Sequence, residues 1–276
     1  SYELSVDATG QGELRSNSTV GAIRGLETFA QLVEYSMEGE VQLWALPVKV
    51  QDRPQYKYRG IKVDTSRHFV PLRRLRNIIR GMEAAKLNVL QWHAVDGPSF
   101  PLESKLYPSL ADKGKYCPSC VYTQQDVKEL VAYSRARGVR IIPELDIPGH
   151  SGFQYGMPEI VACPNYQDFA DGGARALDPT LDKTYAFLTE WLSEMASLFD
   201  DPLVNVHRDH DYYMVSRRLL LMTAGTFHRC TATRCVSSAG TRATPSRAGW
   251  QGTASRRETS RPSPSTSGAA SHARCR

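Results

Sequence analysis

Apolar runs that each end in polar residues recur along the middle of the chain. Three of these runs are RGIKVD (59–64), LNVLQWHAVD (87–96) and VRIIPELD (139–146), and a fourth is LVNVH (203–207). Segments with helical spacing of apolar residues separate them, which is typical of parallel strands joined by helices. We therefore predict an α/β fold in which about four βα units form the first half of an eightfold TIM-type barrel.

The segments between the strands carry the signals that begin helices. Pro71 suits a first helical turn, and apolar residues recur at helical spacing through 72–85. Thr123 precedes a second amphipathic segment and is followed three residues later by Asp126, close to a capping box. Thr180 is expected to cap a third helix.

The first residues predict a separate, smaller unit. Residues 2–6 alternate apolar and polar side chains as in a half-buried strand, 20–34 carry helical spacing, and 41–50 indicate one further strand. Such a unit is too small to bury much surface by itself. With a boundary near Pro54, we predict that 1–53 is the remainder of a small α/β domain and 54–213 a partial barrel.

The composition changes abruptly after residue 213. Residues 214–276 contain eleven Arg, no Lys, one acid and 19 Ser or Thr. A segment of this composition buries too little apolar surface to offset its ordering entropy, so we predict a tail that is disordered or is not native coding sequence. An Arg-rich tail that binds RNA is the alternative, and salt-dependent binding that is lost on truncation would reveal it.

Charge and hydropathy exclude some classes of function. The formal net charge is +5, but the basic excess lies in the tail and the remainder is mildly acidic. The balance therefore does not argue for nucleic acid as a partner. No run of 18 apolar residues occurs, so no membrane span is expected. The first residues lack a signal-peptide pattern, which is expected if a signal is absent or already removed.

Two short motifs leave alternatives open. Cys117 and Cys120 have thioredoxin-like spacing but fall within a predicted loop, 97–121, so two incidental thiols or a local disulfide are favoured over a redox or zinc site. Asn17-Ser18-Thr19 would permit glycosylation in a secretory compartment, although a single sequon also arises by chance.

Candidate chemistry gathers where the predicted strands end. Arg67, His93, Asp96, Asp146 and His150 each follow an apolar strand core. Active sites in barrel folds lie at the carboxyl ends of the strands, so we expect these five side chains to converge. The Arg can donate two hydrogen bonds to vicinal hydroxyls, and Asp146 is expected to orient the imidazole of His150.

Aromatic residues beside these clusters indicate a sugar ligand, because apolar sugar faces stack on such rings. The candidates share positions in or next to the predicted loops; they are Trp92, Phe100, Tyr107, Phe153 and Tyr155. The alternative is that each ring fixes its loop to the core. Similarly, an Asp64–Arg67 pair can serve only to tie a strand end.

Four long segments resemble family 20 glycoside hydrolases, the β-N-acetylhexosaminidases. They are RGIKVDTSRHFVPL, KLNVLQWHAVDGPSFPLES, YTQQDVKELVAYSRARGVRIIPELDIPGH and LDPTLDKTYAFL. GAIRGLETFAQLV is similar to the end of the small domain that precedes the barrel in that family. The resemblance covers about residues 1–207.

The resemblance implies a retaining, substrate-assisted hydrolysis without a protein nucleophile, metal or cofactor. Arg67, His93 and Asp96 would bind the terminal sugar, while Asp146 and His150 would form a relay behind the acid. The substrate would be an N-acetylhexosamine-terminated glycoconjugate or a chitooligosaccharide. A lysosomal, vacuolar or secreted location is implied, and the family allows an oligomer.

The sequence departs from the family at the catalytic acid. A His-x-Gly-Gly-Asp-Glu motif is expected after the fourth strand, but His207 is followed by RDHDY. Asp211 then takes the place of the Asp that orients the acetamido group, and Tyr212 takes the place of the acid. A phenol with a pKa of about 10 is a poor proton donor at neutral pH. Gly97 also replaces a second acid of the family pattern.

We therefore expect the chain, with half a barrel, to be inactive and to fold poorly alone. One alternative is a non-catalytic N-acetylhexosamine-binding or regulatory protein, which would bind the sugar without turnover. The other is a metal-dependent hydrolase, whose ligands would be His93, Asp96, Asp146, His150 and His207.

Overall fold

The computed structural model describes residues 1–43, 46–162, 176–207 and 234–237, of which 206, 207 and 234–237 are described by their backbone alone. The strands are β1 (Tyr2–Val6), β2 (Gly12–Ser16), β3 (Val33–Tyr35), β4 (Val41–Leu43), β5 (Val48–Asp52), β6 (Gly60–Asp64), β7 (Val89–Val95), β8 (Arg140–Asp146), β9 (Leu203–His207) and β10 (Arg234–Ser237). The helices are α1 (Thr19–Leu32), α2 (Leu72–Ala84), α3 (Ser109–Gly114), α4 (Gln124–Arg135) and α5 (Asp182–Ala196).

A parallel sheet in the order β10-β9-β8-β7-β6 carries the fold. Helices alternate with its first four strands, as the hydrophobic pattern predicts. The apolar faces of α2, α4 and α5 pack on this sheet and form one continuous core that includes Leu75, Leu130 and Trp191. Because the strands are parallel, their carboxyl ends all lie at the same end of the sheet.

Two of the three helices for which the sequence predicts a first residue begin where expected. Thr123 and Asp126 form a capping box, each side chain bonding the other's backbone N–H. Pro71 occupies the position immediately before α2. The prediction for Thr180 is wrong: Leu181 is the N-cap of α5, while the Thr180 hydroxyl and backbone N–H both donate to Asp178.

The small N-terminal unit differs from its prediction in two respects. Its sheet has the antiparallel order β2-β1-β5, and β2 occupies residues assigned no strand in the sequence prediction. The single strand predicted over 41–50 is divided into β4, which pairs with β3, and β5, which pairs with β1. The 97–121 loop likewise contains the short helix α3.

Four residues of the predicted tail have a regular backbone. Arg234–Ser237 form β10, which pairs in parallel with β9. The other residues of 214–276 lie outside the described part of the chain. The domain boundaries proposed at 53 and 213 stay predictions, since the first compact unit spans Ser1–Thr241.

Arg24 ties α1 to the barrel segment. It is only 5% exposed, and its guanidinium donates to the backbone oxygens of Glu83 (3.1 Å), Leu87 (2.7 Å) and Gly138 (3.0 Å). These carbonyls lie after or near the ends of α2 and α4, where helices leave backbone acceptors without intrahelical partners. Burial lowers the pKa of Arg24, and the neighbouring Arg59 lowers it further.

We expect Arg24→Ala to lower the free energy of unfolding by about 3 kcal/mol, because buried carbonyls lose a charged donor. Urea unfolding monitored by tryptophan fluorescence measures this change. Arg15→Ala is the matched control, since Arg15 pairs with Glu13 on an open surface. An unchanged unfolding midpoint for Arg24→Ala would contradict this structural role.

Candidate active site

Register in the parallel sheet places the polar strand ends side by side. Asp64 lies opposite His93, His93 opposite Glu144, and Glu144 opposite Asn205. Adjacent strands are about 4.8 Å apart, so side chains at equivalent levels touch. The register therefore brings the polar ends of these four strands to one level of the rim.

Arg67 lies at the centre of the rim. Its Nη2 is 2.7 Å from Asp96 Oδ2, and its Nη1 is 2.8 Å from Asp64 Oδ2 and 2.9 Å from His93 Nε2. Asp64 also accepts the backbone N–H groups of Ser66 and Arg67, which fixes the turn that follows β6. The Arg67 side chain remains 42% exposed although its guanidinium has two carboxylate partners, so part of this side chain is accessible to a ligand.

His93 is buried between two carboxylates. Its Nδ1 is 2.7 Å from Glu144 Oε1 and its Nε2 is 2.7 Å from Asp96 Oδ2. Burial by itself would lower the pKa of His93, but hydrogen bonds to Asp96 and Glu144 outweigh it and raise the pKa to about 9. At neutral pH His93 is therefore an imidazolium that donates from both ring nitrogens.

Asp96 joins two parts of the site. Burial would raise its pKa, but hydrogen bonds from His150 and His93 and the charge of Arg67 hold the pKa well below its usual range. His150 Nδ1 lies 3.7 Å from Asp96 Oδ1. A carboxylate that immediately follows β7 thus lies beside the His150 ring, and the pairing of His150 with Asp146 stays a prediction.

The loop after β8 is shaped to bring His150 to Asp96. His150 has a φ of 45°, a left-handed conformation that residues other than glycine adopt rarely. At Gly152, with φ 71°, an added Cβ would lie 2.6 Å from the backbone oxygen of Asp96. Backbone strain of this kind concentrates at functional sites, which supports a role for this loop in the chemistry.

Glu144 is the site residue that the sequence interpretation omitted. It is fully buried and accepts from Lys62 Nζ (2.5 Å), His93 Nδ1 (2.7 Å), Asn205 Nδ2 (2.9 Å) and the Gln91 amide. Burial would raise its pKa, but the hydrogen bonds from His93, Lys62 and Gln91 lower it to about 2. Glu144 therefore carries a full negative charge beneath the cluster.

A signal for Glu144 does exist in the sequence. It precedes Asp146 by two residues, so both point to the same face of β8. Lys62, Gln91 and Asn205 are polar residues within otherwise apolar strands. Buried polar residues on neighbouring strands of one sheet are expected only where they bond one another or a polar residue at the edge of the sheet.

The hypothesis of a metal-dependent hydrolase can be tested against the surroundings of the ligand atoms that it requires. Candidate ligand atoms of His93, Asp96 and Asp146 lie within 4.8 Å of one another, the one such group in the described part of the chain. However, the Arg67 guanidinium already bonds Asp96 at 2.7 Å and lies 2.9 Å from His93 Nε2, so a metal ion would have to displace a cation from these ligand atoms. The metal-dependent hydrolase is therefore not favoured.

Most of the aromatic candidates have a structural role. Trp92, Phe100 and Phe153 are fully buried, and Phe153 packs edge-on against Trp191 at 5.0 Å between ring centroids. The expectation that these three rings face a ligand is wrong, and the alternative that they fix loops to the core is confirmed. At the rim, Tyr116 is 53% exposed and its hydroxyl donates to the backbone oxygen of Arg67 at 3.2 Å.

The remaining predicted residues have partial descriptions or none. Asp146 is buried at the end of β8, with His207 opposite it in the register. Asp211 and Tyr212 lie outside the described residues. Cys117 and Cys120 form a disulfide, so the local-disulfide alternative is confirmed. Within the described part of the chain, no helix is both long and apolar enough to span a membrane.

The fold and the site together define a partial α/β barrel with Arg, His and carboxylate side chains gathered at its carboxyl rim. Residues 56–211 match the family "Glycosyl hydrolase family 20, catalytic domain", and residues 1–32 match "beta-acetyl hexosaminidase like". The chain belongs to glycosyl hydrolase family 20. The match to the catalytic domain ends at Asp211, one residue before the Tyr that replaces the expected acid.

Relatives with curated names agree with this family. The chain is 40% identical over 203 residues to beta-hexosaminidase subunit A1 of Dictyostelium discoideum, covering 73% of this chain and 37% of that protein. It is 38% identical over 198 residues to the human beta-hexosaminidase subunit beta, covering 71% of this chain and 35% of that protein. The chain thus spans little more than a third of the length of these relatives.

Solved structures show the same fold. A Flavobacterium johnsoniae chitobiase superposes with a TM-score of 0.75 at 27% identity, covering 86% of this chain and 39% of that chain. The exo-β-N-acetylglucosaminidase of Vibrio harveyi superposes with a TM-score of 0.76 at 22% identity, covering 86% of this chain and 43% of that chain. The partial TIM-type barrel predicted from the sequence is confirmed.

Proposed function

We propose that this chain binds the terminal N-acetylhexosamine of a glycoconjugate or chitooligosaccharide at the rim formed by Arg67, His93 and Asp96. The observation that supports this proposal is that the Arg67 side chain is 42% exposed while its guanidinium is held by Asp64 and Asp96. Its planar fork can donate to adjacent hydroxyls of a sugar while its lower face stays paired. No metal or cofactor is part of the proposal.

The reaction we propose for this site is retaining, substrate-assisted hydrolysis. The acetamido oxygen of the sugar attacks the anomeric carbon and the glycosidic bond breaks, so that the leaving oxygen must take a proton; water then opens the resulting ring. Asp211 is assigned to orient the acetamido group. Asp146 and His150 are assigned to hold and pass protons behind the acid position, and the 3.7 Å approach of His150 to Asp96 supports placing His150 beside the sugar-binding residues.

A second candidate function follows from Tyr212 at the acid position. The pKa of a phenol is about six units higher than that of an unperturbed carboxylic acid, so a phenol donates its proton poorly at neutral pH. Loss of a general acid commonly costs on the order of 10²–10⁴-fold in rate. The site would then serve as a non-catalytic N-acetylhexosamine-binding or regulatory site.

Two measurements on the 276-residue chain distinguish the two functions. Calorimetry measures the binding of N-acetylglucosamine, and hydrolysis of a chromogenic N-acetylglucosaminide measures turnover. We expect saturable binding together with turnover roughly 10²–10⁴-fold below that of a family member that retains the Asp-Glu pair. Turnover equal to the comparator would support the enzyme and contradict the role given to Tyr212. Folded protein that binds no sugar would contradict both functions.

Location and assembly complete the proposal. Relatives of this chain are named as beta-hexosaminidase subunits. We propose a lysosomal, vacuolar or secreted location for this chain, and association with further subunits, on the basis of this kinship.

A further inference from the structure

The turn between β2 and α1 exposes a modification motif that the proposed function does not use. Asn17-Ser18-Thr19 is the single Asn-x-Ser/Thr motif in the 276 residues, and Val20, not Pro, follows it. Asn17 and Thr19 are both exposed. Both side chains that a glycosylating enzyme must read are thus presented to solvent.

The backbone around the motif is held without the Asn17 side chain. Ser18 is the N-cap of α1, accepting from the Gly21 N–H at 3.1 Å, and the Ser16 hydroxyl donates to the Ser18 carbonyl at 2.8 Å. Among the described residues, none makes a hydrogen bond with the Asn17 amide group. Attachment of a sugar to its nitrogen would therefore break no contact in the described structure.

The Cys117–Cys120 disulfide supplies an independent observation about the compartment. Disulfides persist in oxidising environments such as the secretory pathway and are rare where thiols are kept reduced. The same pathway holds the lipid-linked oligosaccharides that modify Asn-x-Ser/Thr motifs.

We propose that Asn17 carries an N-linked oligosaccharide. In the transfer, the amide nitrogen of Asn17 forms a bond to C1 of the donor sugar, and the bond from C1 to the lipid diphosphate breaks. The amide loses one proton and the lipid diphosphate leaves with the electron pair of the broken bond. The co-reactant is thus a lipid-diphosphate oligosaccharide, and no oxidant or reductant is needed.

The attached glycan would lie at the end of the barrel opposite the sugar-binding rim. Val20 approaches Gly138, with 3.1 Å between its Cγ1 and an ideal Cβ at that glycine, and Gly138 lies two residues before the amino end of β8. The seven residues of β8 separate this end from Asp146 by about 20 Å. The glycan is therefore expected to leave sugar binding at the rim unchanged.

Secretion of the 276-residue chain from a eukaryotic host, followed by peptide mass spectrometry before and after amidase release of N-glycans, tests the proposal. We expect a glycan on Asn17 in the unmodified sequence and in Thr19→Ser, and none in Thr19→Ala. Ser18→Ala retains the motif while losing the helix cap, so it is expected to be glycosylated though less stable. Folded, secreted protein with unmodified Asn17 would overturn the proposal.

Discussion

Arg67→Ala is expected to weaken binding of N-acetylglucosamine by at least about 30-fold, because charged hydrogen bonds to a ligand contribute roughly 1.5–3 kcal/mol each. We call Arg67, His93, Asp96 and Glu144 the strand-end cluster. Within it, the Arg67 side chain has two carboxylate partners, Asp64 and Asp96, and is 42% exposed. Arg67→Lys keeps the charge but loses the planar fork, so an intermediate affinity is expected. Isothermal titration calorimetry at constant ionic strength measures all three proteins.

Arg74→Ala is the matched control for this result. Arg74 is an exposed residue of α2 and lies outside the cluster. The unfolding midpoint of each variant separates a loss of contact from a loss of fold, since Asp96 loses a cationic partner in Arg67→Ala. Equal affinity in the unmodified and Arg67→Ala proteins would show that the sugar binds elsewhere.

Glu144→Gln is expected to destabilise the protein by about 3–5 kcal/mol near neutral pH, because it leaves buried donors facing an amide instead of a carboxylate. Lys62 and His93 both point at Glu144, and the Gln amide would add a further donor to that cavity. Urea unfolding across a pH series measures the effect. Glu129→Gln is the control, since Glu129 pairs with Arg76 at an exposed position.

The pH dependence of this difference has a definite sign. The folded pKa of His93 is raised from 6.5 to about 9, so its contribution is complete below 6.5 and is lost as the pH rises through about 9. The folded pKa of Glu144 is lowered from 4.5 to about 2, so its contribution is present above 4.5 and is lost as the pH falls through about 2. The two proteins should therefore differ most between about pH 5 and 8 and converge toward both extremes. A difference in the free energy of unfolding that stays constant from about pH 2 to about pH 9 would contradict the ionic role of Glu144.

The parallel sheet could be predicted from the sequence because each of its four leading strands is a short apolar run between helical segments. The small N-terminal sheet was harder, since β2 and β4 expose much of their length and carry little periodicity. Pro47 between β4 and β5 marks a break within the single strand predicted there. Four residues of β10 likewise offer too short a pattern to be distinguished from a polar tail.

The residues of the candidate site were predictable and several of their contacts were not. Arg67, His93 and Asp96 converge as expected, because parallel strands end at one rim. Sequence proximity suggested Asp146 as a partner of His150, and that pairing stays a prediction. The approach of Asp96 to the same ring was not expected, because Asp96 follows a different strand. The role of Glu144 could not be predicted from the sequence, because its cationic partner, Lys62, lies 82 residues away along the chain.

Histidine-selective NMR of the 276-residue chain, titrated with N-acetylglucosamine, tests most directly whether the strand-end cluster is the sugar site. We predict that the imidazole signals of His93 and His150 move together and saturate at one dissociation constant, and that they stay still in Arg67→Ala. Sugar binding detected by calorimetry while both signals remain unmoved in the unmodified protein would contradict the assignment.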